Sequence, residues 1–251
     1  MLKTEGLTIR FGGLTAVSDF NLNIGDKEIV GLIGPNGAGK TTVFNMITGV
    51  YRPTSGRIWY RDRDITGWKP HALAAAGICR TFQNIRLFRD MTVFENVLVG
   101  CHLEISSDVF SSTFRLPGYR KREAEAEENA HQLLKMVELS GVEDEPATAL
   151  PYGQQRRLEI VRALATRPSI LLLDEPAAGM NPQESLELME FIRRLRDELN
   201  LSIFLIEHHM QVVMGVCDRM YVLDYGQTIA QGRPSEIQKN QKVIDAYLGV
   251  Q

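Results

Sequence analysis

Cysteine is scarce in this sequence. The 251 residues include 3 cysteines, Cys79, Cys101 and Cys217, whose wide spacing fits neither a disulfide framework nor a metal-binding motif, so we expect reduced thiols. No run approaches the ~20 apolar residues that a membrane-spanning helix needs, and residues 1–5 lack the apolar core of a signal peptide. The net charge of −3 argues against a protein that binds nucleic acid through excess basic charge. We therefore expect a soluble, cytoplasmic protein that reaches a membrane only through a partner.

Short apolar runs alternate with helical segments along much of the chain. Strands are predicted at residues 28–33, 77–82, 169–173 and 202–206, most of them continuous runs of β-branched residues or leucine. Helices are predicted at residues 40–50, 155–167 and 182–199; Pro168 stops the second, and Asn181 is a good N-cap for the third. This alternation predicts an α/β fold.

Two regions depart from that alternation. Residues 2–24 alternate apolar and polar side chains around Gly12-Gly13, and residues 57–65 look similar, which predicts antiparallel β-structure. Residues 84–149 carry no strong strand signal; residues 120–143 read as one long helix, and residues 106–118 as a loop. We therefore expect a separate helical subdomain inserted into the α/β core.

A glycine-rich loop predicts phosphate binding. Residues 34–41 match the pattern G-x-x-x-x-G-K-[ST] between a predicted strand and a predicted helix. Its glycines allow several backbone N–H groups to point into one concavity, and the helix N-terminus adds partial positive charge. Lys40 would bridge phosphate oxygens, and Thr41 would offer its hydroxyl to Mg²⁺. A chance match in a chain of this length is on the order of one in a hundred, so MgATP binding is the favoured interpretation.

Two carboxylates follow a second apolar run. Asp174 and Glu175 come directly after residues 170–173, where a buried strand would deliver them to the edge of the sheet that binds ligands. Asp174 would then hold Mg²⁺, directly or through water. Glu175 would polarise an attacking water as a general base.

In this order, the motifs resemble those of the nucleotide-binding subunit of an ABC transporter over nearly the whole chain. The resemblance assigns nucleotide contacts to Phe11, Val17, Asn36, Gly37, Ala38, Gly39, Lys40, Thr41 and Thr42. It assigns Mg²⁺ to Thr41, Gln83 and Asp174, and catalysis to Lys40, Gln83, Glu175 and His208. The signature motif falls on Leu150, Pro151, Tyr152, Gly153 and Gln154.

The signature departs from the commoner Leu-Ser-Gly-Gly-Gln. Pro151 stands where the serine hydroxyl would donate to the γ-phosphate, and Tyr152 adds a side chain where glycine is usual. Gly153 keeps a small residue, and the helix that follows still offers backbone N–H groups. In the later loop, Asn181 replaces an aspartate but retains hydrogen bonding. These changes affect contacts specific to serine, and we still expect ATP to be held between two subunits.

The resemblance also implies a fold and an assembly. The fold is a P-loop NTPase (RecA-like) α/β core with an N-terminal antiparallel β subdomain and an inserted α-helical subdomain. The core would comprise residues 1–84 and 156–251, and the helical subdomain residues 85–155. Two such subunits, identical or different, would face head to tail, so that each ATP lies between one phosphate loop and the other subunit's signature.

Three longer segments, residues 152–160, 173–182 and 243–249, resemble the bacterial Liv-type ATPases that energise uptake of leucine, isoleucine and valine. Uptake of urea, amides or other amino acids, and lipopolysaccharide export, remain alternatives, because transmembrane permease subunits and a periplasmic or extracellular binding protein select the substrate. We expect the chain at the cytoplasmic face of the inner membrane, with a permease helix docked on residues 86–94, near Phe88 and Phe94.

Other classes of protein fit the sequence less well. A soluble nucleic-acid or translation factor with the same cassette would be expected to show a basic stripe. A phosphate-loop kinase gives no account of the signature or of His208. A nucleotide binder without turnover gives no account of Glu175.

Overall fold

The structure is a computed structural model, and it describes residues 1–101, 117–208 and 210–248. Most of the loop predicted at residues 106–118, and the second histidine of the His-His pair, lie outside the described residues. Contacts divide the chain into two compact units, Met1–Gln83 with Ser169–Gln251, and Asn84–Pro168. Among the described residues, none of the helices is long and apolar enough to cross a membrane.

The strands, in chain order, are β1 (Leu2–Phe11), β2 (Leu14–Ile24), β3 (Ile29–Ile33), β4 (Ser55–Tyr60), β5 (Arg63–Asp64), β6 (Ile78–Arg80), β7 (Ile170–Asp174), β8 (Ser202–Ile206), β9 (Arg219–Asp224) and β10 (Gln227–Gly232). The helices are α1 (Lys40–Ile47), α2 (Pro70–Ala75), α3 (Val93–Cys101), α4 (Pro117–Met136), α5 (Tyr152–Leu164), α6 (Pro182–Leu199), α7 (Met210–Val216), α8 (Pro234–Ile237) and α9 (Gln241–Leu248).

The central sheet of the first unit has the strand order β10-β9-β3-β8-β7-β6. All neighbours pair in parallel except β10, which runs antiparallel to β9. Every residue of β3, β7 and β8 is buried, which explains their unbroken apolar sequences, because both faces of the sheet are covered. The carboxyl ends of β3, β6, β7 and β8 therefore meet along one edge of the sheet.

The second sheet, in the order β2-β1-β4-β5, is antiparallel. Phe11 pairs with Leu14 across the Gly12-Gly13 turn, which confirms the predicted hairpin. Side chains on one face of β1 and β2 join a buried cluster with the central sheet and α1. The ring centroids of Phe44 and Phe204 lie 4.8 Å apart within this cluster.

Helix α6 begins and ends where the sequence predicts. The Asn181 side chain accepts a hydrogen bond from the backbone N–H of Glu184, and the Glu184 carboxylate accepts from the backbone N–H of Asn181, both at 2.9 Å. This reciprocal capping box, followed by Pro182, fixes the start of the helix.

The long helix predicted at residues 120–143 is wrong at its end, because α4 stops at Met136. Glu138 adopts the left-handed conformation with φ 62°. The N–H of Leu139 donates to the carbonyl of Leu134, and the N–H of Glu138 to that of Lys135. These bonds form a Schellman motif, which satisfies the last carbonyls of the helix and turns the chain away.

Helix α5 also differs from its prediction, since it starts at Tyr152 rather than at residue 155. Pro151, with φ −54° and ψ 152°, is its N-cap. Helix α5 packs against α3 and α4. The division by contacts therefore falls at Pro168, after this helix, whereas the sequence placed the second domain boundary at residue 155.

Candidate active site: a phosphate loop beside paired carboxylates

The phosphate loop connects β3 to α1 and depends on glycine at its ends. Gly34 has φ 150°, and a Cβ there would lie 2.0 Å from the carbonyl oxygen of Leu223. Gly39 has φ 101°, and a Cβ there would lie 2.8 Å from the carbonyl oxygen of Ala16. Neighbouring backbone therefore leaves no room for a larger residue at either position.

Lys40 is the first residue of α1 and is 6 % exposed. Its ammonium group donates hydrogen bonds to the carbonyl oxygens of Gly34 (2.8 Å) and Pro35 (2.9 Å). Burial lowers the pKa of Lys40, and the nearby carboxylates of Glu175 and Asp174 oppose this change. The two carbonyl oxygens therefore hold the Lys40 ammonium group against the start of the loop.

A cleft of about 410 Å³ opens beside the loop. The predicted residues that line it are Asn36, Gly37, Gly39, Lys40, Thr41, Thr42 and Glu175. Sequence reasoning missed the others, which are Leu14, Thr15 and Ala16 of β2, and Tyr225 in the turn between β9 and β10. The segment Asp224-Tyr225-Gly226 is a turn signal, and it could have predicted the turn that brings Tyr225 to the cleft.

Asp174 is the last residue of β7 and is 3 % exposed. Its Oδ2 accepts a hydrogen bond from Nη2 of Arg80 at 2.6 Å, which makes a buried, charge-assisted pair. Sequence reasoning did not identify Arg80, because a single arginine at a strand end carries no pattern.

Glu175 turns away from its neighbour because its backbone is left-handed, with φ 46°. Its N–H donates to the carbonyl of Ile206 in β8 at 2.9 Å. Its Oε2 accepts a hydrogen bond from Nε2 of Gln83 at 2.8 Å and lies 3.6 Å from Nδ1 of His208. The structure therefore brings together three residues that the sequence separates by many positions, Gln83, Glu175 and His208.

Glu207, one residue before His208, is fully buried and was not predicted. Its carboxylate accepts hydrogen bonds from the backbone N–H of Ala177 (2.9 Å) and from that of His208 (3.2 Å). A buried carboxylate with charge-assisted bonds to two backbone segments fixes the loop after Glu175 relative to the end of β8.

The predicted adenine contacts divide into one exposed and one buried side chain. Phe11 is 46 % exposed, and its ring meets Tyr51 edge to face at a centroid distance of 5.3 Å. Val17 is fully buried, and one of its methyl groups would lie 3.1 Å from a Cβ built on Gly39. The Val17 side chain therefore packs against the phosphate loop at Gly39, and its contact with the nucleotide stays a prediction.

The signature segment lies in the second unit, where Leu150 is buried and Pro151, Tyr152 and Gln154 are exposed. Nε2 of Gln155 donates to the carbonyl of Leu150 at 2.7 Å, which fixes the approach to α5. A Cβ on Gly153 would meet nothing within 4 Å. Within this unit, therefore, the first turn of α5 is open to a ligand or a partner.

Comparisons with known proteins agree with this arrangement. A family model described as ABC transporter matches residues 17–178. The chain belongs to the ABC transporter family. This confirms the predicted family, its P-loop NTPase fold and its class as an ATPase.

Relatives of this ABC ATPase match it over nearly their full length. The high-affinity branched-chain amino acid transport ATP-binding protein LivG of Salmonella typhimurium is 49 % identical over 249 residues, which are 99 % of this chain and 98 % of that protein. The corresponding protein BraF of Pseudomonas aeruginosa is 48 % identical over 249 residues, with the same coverage. A second family model, described as branched-chain amino acid ATP-binding cassette transporter, matches residues 227–251.

Solved structures of ATP-binding cassettes have the same fold as this chain. The ADP conformation of an ATP-binding cassette of an ABC transporter superposes with a TM-score of 0.86 at 33 % identity, over 99 % of this chain and 98 % of that one. A dimeric cassette in a post-hydrolysis state with ADP and Pi gives 0.77 at 26 % identity, over 93 % and 99 %.

The C-terminal helix α9 of this ABC ATPase lies beside the phosphate loop. A second cleft, of about 650 Å³, is lined by Pro35–Ala38 of the loop and by Lys242, Asp245 and Ala246 of the helix. Burial raises the pKa of Tyr247, while a hydrogen bond with the backbone of Gly34 opposes this change. The segment matched by the second family model therefore contacts the loop between β3 and α1.

Residues 86–94, the predicted docking segment, contain two phenylalanines that differ in exposure and packing. Phe88 is 45 % exposed, and the guanidinium of Arg162 lies 5.2 Å from its ring centroid. Phe94 is half-buried and stacks on His131 at a centroid distance of 4.7 Å. Phe88 is thus available at the surface, whereas Phe94 is partly used in packing.

Proposed function

We propose that this chain is the ATP-hydrolysing subunit of an importer for branched-chain amino acids. The observation that carries the ATPase assignment is the cluster at the phosphate loop, in which the Glu175 carboxylate accepts a hydrogen bond from Gln83 and faces His208. The names of the 49 % and 48 % identical relatives support the substrate class. The permease and the binding protein would select the amino acid.

The oxygen donors at the strand ends suit Mg²⁺, which prefers hard oxygen ligands. Thr41 would offer a hydroxyl, Asp174 a carboxylate oxygen and Gln83 its amide oxygen, with phosphate oxygens and water completing the shell. Bound there, Mg²⁺ would neutralise charge on the phosphates. Lys40 and the N–H groups of residues 36–42 would hold the β- and γ-phosphates in place.

Glu175 is the proposed general base, because it lies at the mouth of the cleft and is positioned by its neighbours. It would accept a proton from the water that attacks the γ-phosphate. Gln83 would orient that water, and His208 would contact the γ-phosphate. On the adenine side, Phe11 would stack on the base, with Tyr51 fixing its ring.

A second ATPase subunit, identical or different, would complete the site. Its Leu150, Pro151, Tyr152, Gly153 and Gln154 would lie against the γ-phosphate bound to this chain. Since only the closed pair makes those contacts, ATP would favour closure and hydrolysis would reverse it. Through Phe88 and its neighbours the pair would bind permease subunits at the cytoplasmic face of the inner membrane.

Reconstitution tests this proposal. A tagged chain is purified from membranes, its partners are identified by mass spectrometry, and the complex is placed in proteoliposomes with its binding protein. We expect uptake of labelled leucine, isoleucine or valine that needs ATP at the ATPase face. Uptake of urea alone would overturn the substrate class, and an absence of ATP hydrolysis in the complete complex would overturn the enzymatic assignment.

A further inference from the structure

Arg80, the last residue of β6, makes polar contacts with two neighbouring elements. Its side chain is 8 % exposed, and Nη2 donates to Oδ2 of Asp174 at 2.6 Å. Nη1 donates to Oδ1 of Asn45 (2.6 Å) and to Oγ1 of Thr48 (3.2 Å), both in the segment of α1 and its C-cap. One guanidinium therefore connects the phosphate-loop helix to the acidic end of β7.

Two aromatic rings lie close to the same guanidinium. Its central carbon lies 5.6 Å from the ring centroid of Phe44 and 5.3 Å from that of Phe82. Phe82 directly precedes Gln83, so this packing also fixes the segment that delivers Gln83 to Glu175. The planar, delocalised cation suits this position in a way that a lysine ammonium does not.

This arrangement has a cost that packing alone does not explain. Nε of Arg80 is buried without a hydrogen-bond partner, although unpartnered buried N–H groups are unfavourable and rare. An apolar side chain would fill the space between two phenylalanines without that cost. An apolar residue would lose the hydrogen bonds that Nη1 and Nη2 donate to Asn45, Thr48 and Asp174.

We propose that Arg80 is a positioning residue that holds the Asp174 carboxylate for the metal of MgATP. Because Arg80 engages Oδ2, the other carboxylate oxygen, Oδ1, is the one that would serve a cation. The inference rests on the proposed function, in which Asp174 binds Mg²⁺. It concerns the orientation of Asp174, since Arg80 itself touches neither metal nor nucleotide.

A double-mutant cycle of Arg80→Lys and Asp174→Asn tests this route. Mn²⁺ replaces Mg²⁺ so that its binding in the presence of ADP can be measured by electron paramagnetic resonance. Affinity for ADP in EDTA, read with a fluorescent analogue, reports metal-free binding. Lysine keeps the positive charge beside Asp174 but lacks the planar guanidinium, with its several N–H donors and its contacts with the aromatic rings. The substitution therefore separates the effect of orienting Asp174 from the effect of the charge.

We expect Arg80→Lys to weaken Mn²⁺ binding about tenfold when Asp174 is present and less than twofold in Asp174→Asn, with ADP binding in EDTA nearly unchanged. Asn45→Ala removes the shorter of the two hydrogen bonds donated by Nη1 and leaves Arg80 itself unchanged, so it should weaken Mn²⁺ binding by about threefold. If Arg80→Lys does not fold, Asn45→Ala decides alone, and an unchanged Mn²⁺ affinity in it overturns the inference.

The matched control is Arg219→Lys. The Arg219 guanidinium also forms an ion pair with a carboxylate, since its Nε lies 3.0 Å from Oε1 of Glu28. Its central carbon lies 5.5 Å from the ring centroid of Tyr221. It belongs to the other end of the sheet, so Mn²⁺ affinity should change less than twofold. Equal losses in both Asp174 backgrounds, or none with Asp174 present, would overturn the role of Arg80. An unaltered Mn²⁺ affinity in Asp174→Asn alone would instead refute the proposed metal ligand.

Discussion

Glu175 has a backbone conformation that residues with a long side chain seldom adopt. Its φ of 46° sends its side chain toward Gln83 and His208, while Asp174, one position earlier, points to Arg80. A left-handed residue of this kind costs on the order of 1–3 kcal/mol, which the N–H bond to Ile206 and the Gln83 contact help to offset. Two adjacent carboxylates therefore have different partners.

Glu175→Gln tests the proposed base. The amide has nearly the same shape and can still accept from Gln83, but it cannot take a proton from water. We expect MgATP binding to stay within about twofold and hydrolysis in the assembled complex to fall about 10²–10⁴-fold, measured by phosphate release. Glu28→Gln, at the opposite end of β3, is the control and should keep its turnover. Turnover at the parent rate in Glu175→Gln would contradict the assignment.

Residues that belong to sequence motifs were predicted, whereas residues whose contacts depend on tertiary structure were missed. The spacing around Lys40 and the pair Asp174-Glu175 identified the phosphate loop and the acidic strand end. Arg80 and Glu207 were missed because the residues they bind, Asp174 and Ala177, lie far away in the sequence and only the fold brings them together. The burial of Val17 was also not predicted, because a motif position does not report burial.

Secondary-structure elements differ in how well their ends are encoded. The start of α6 was predictable because a capping residue and a proline mark it, whereas α4 ends at a left-handed glutamate that no sequence signal marks. Strands β9 and β10 and helix α9 were not predicted at all, because short mixed runs carry little periodicity. They form because β9 pairs with β3, β10 pairs with β9, and α9 lies beside the phosphate loop.

Glu138→Gly tests the end of α4. Glycine adopts φ 62° without strain, so we expect the second unit to gain about 0.5–1 kcal/mol. Hydrogen exchange of peptides covering residues 130–139 should slow accordingly. Glu127→Gly, an exposed position inside the same helix, is the control and should cost about 0.5–1 kcal/mol. Faster exchange in Glu138→Gly would show that the Schellman motif does not end the helix in solution.

Asn181 tests the start of α6. Asn181→Ala removes the acceptor for the Glu184 N–H and should lower the free energy of unfolding by about 1 kcal/mol, measured in urea. Asn181→Asp restores an acceptor and adds negative charge at the helix N-terminus, so it should be at least as stable as the parent. Gln183→Ala, exposed in the same turn, should change little. An aspartate as costly as alanine would argue against capping.

For the whole molecule, the predicted functional residues are distributed over the two compact units. The phosphate loop, the carboxylates and His208 belong to the first unit, and the signature and the docking segment to the second. The sequence predicted the α/β class, because strand–helix alternation extends over the chain. It did not reveal where the second boundary falls, because that depends on which neighbours α5 packs against.

Phe88→Glu tests the docking segment. Because Phe88 is 45 % exposed, the charge should leave the isolated chain folded and its own nucleotide binding within twofold. Co-purification with permease subunits should fall at least tenfold, because a charge replaces an aromatic contact. Val99→Glu, 38 % exposed on α3, is the control and should assemble normally. Charges at both Phe88 and Phe94 that leave fold and transporter assembly intact would refute this surface.

Gly153→Asp tests whether the nucleotide site is completed by a second subunit. A side chain there meets nothing within 4 Å, and a carboxylate in the first turn of α5 suits the helix dipole, so the chain should fold normally. The same carboxylate would face the γ-phosphate held by a partner and repel it. In the Glu175→Gln background, which should retain ATP, we expect MgATP to produce a dimer in light scattering.

Adding Gly153→Asp should weaken that dimer at least tenfold while ATP binding to the monomer persists, since the phosphate loop lies in the other unit. Gly141→Asp is the matched control, because it is an equally open glycine of the same unit, and its dimer should be unchanged. If the dimer survives Gly153→Asp, the first turn of α5 does not reach the partner's nucleotide. Loss of monomer binding would instead show that this turn acts within its own chain.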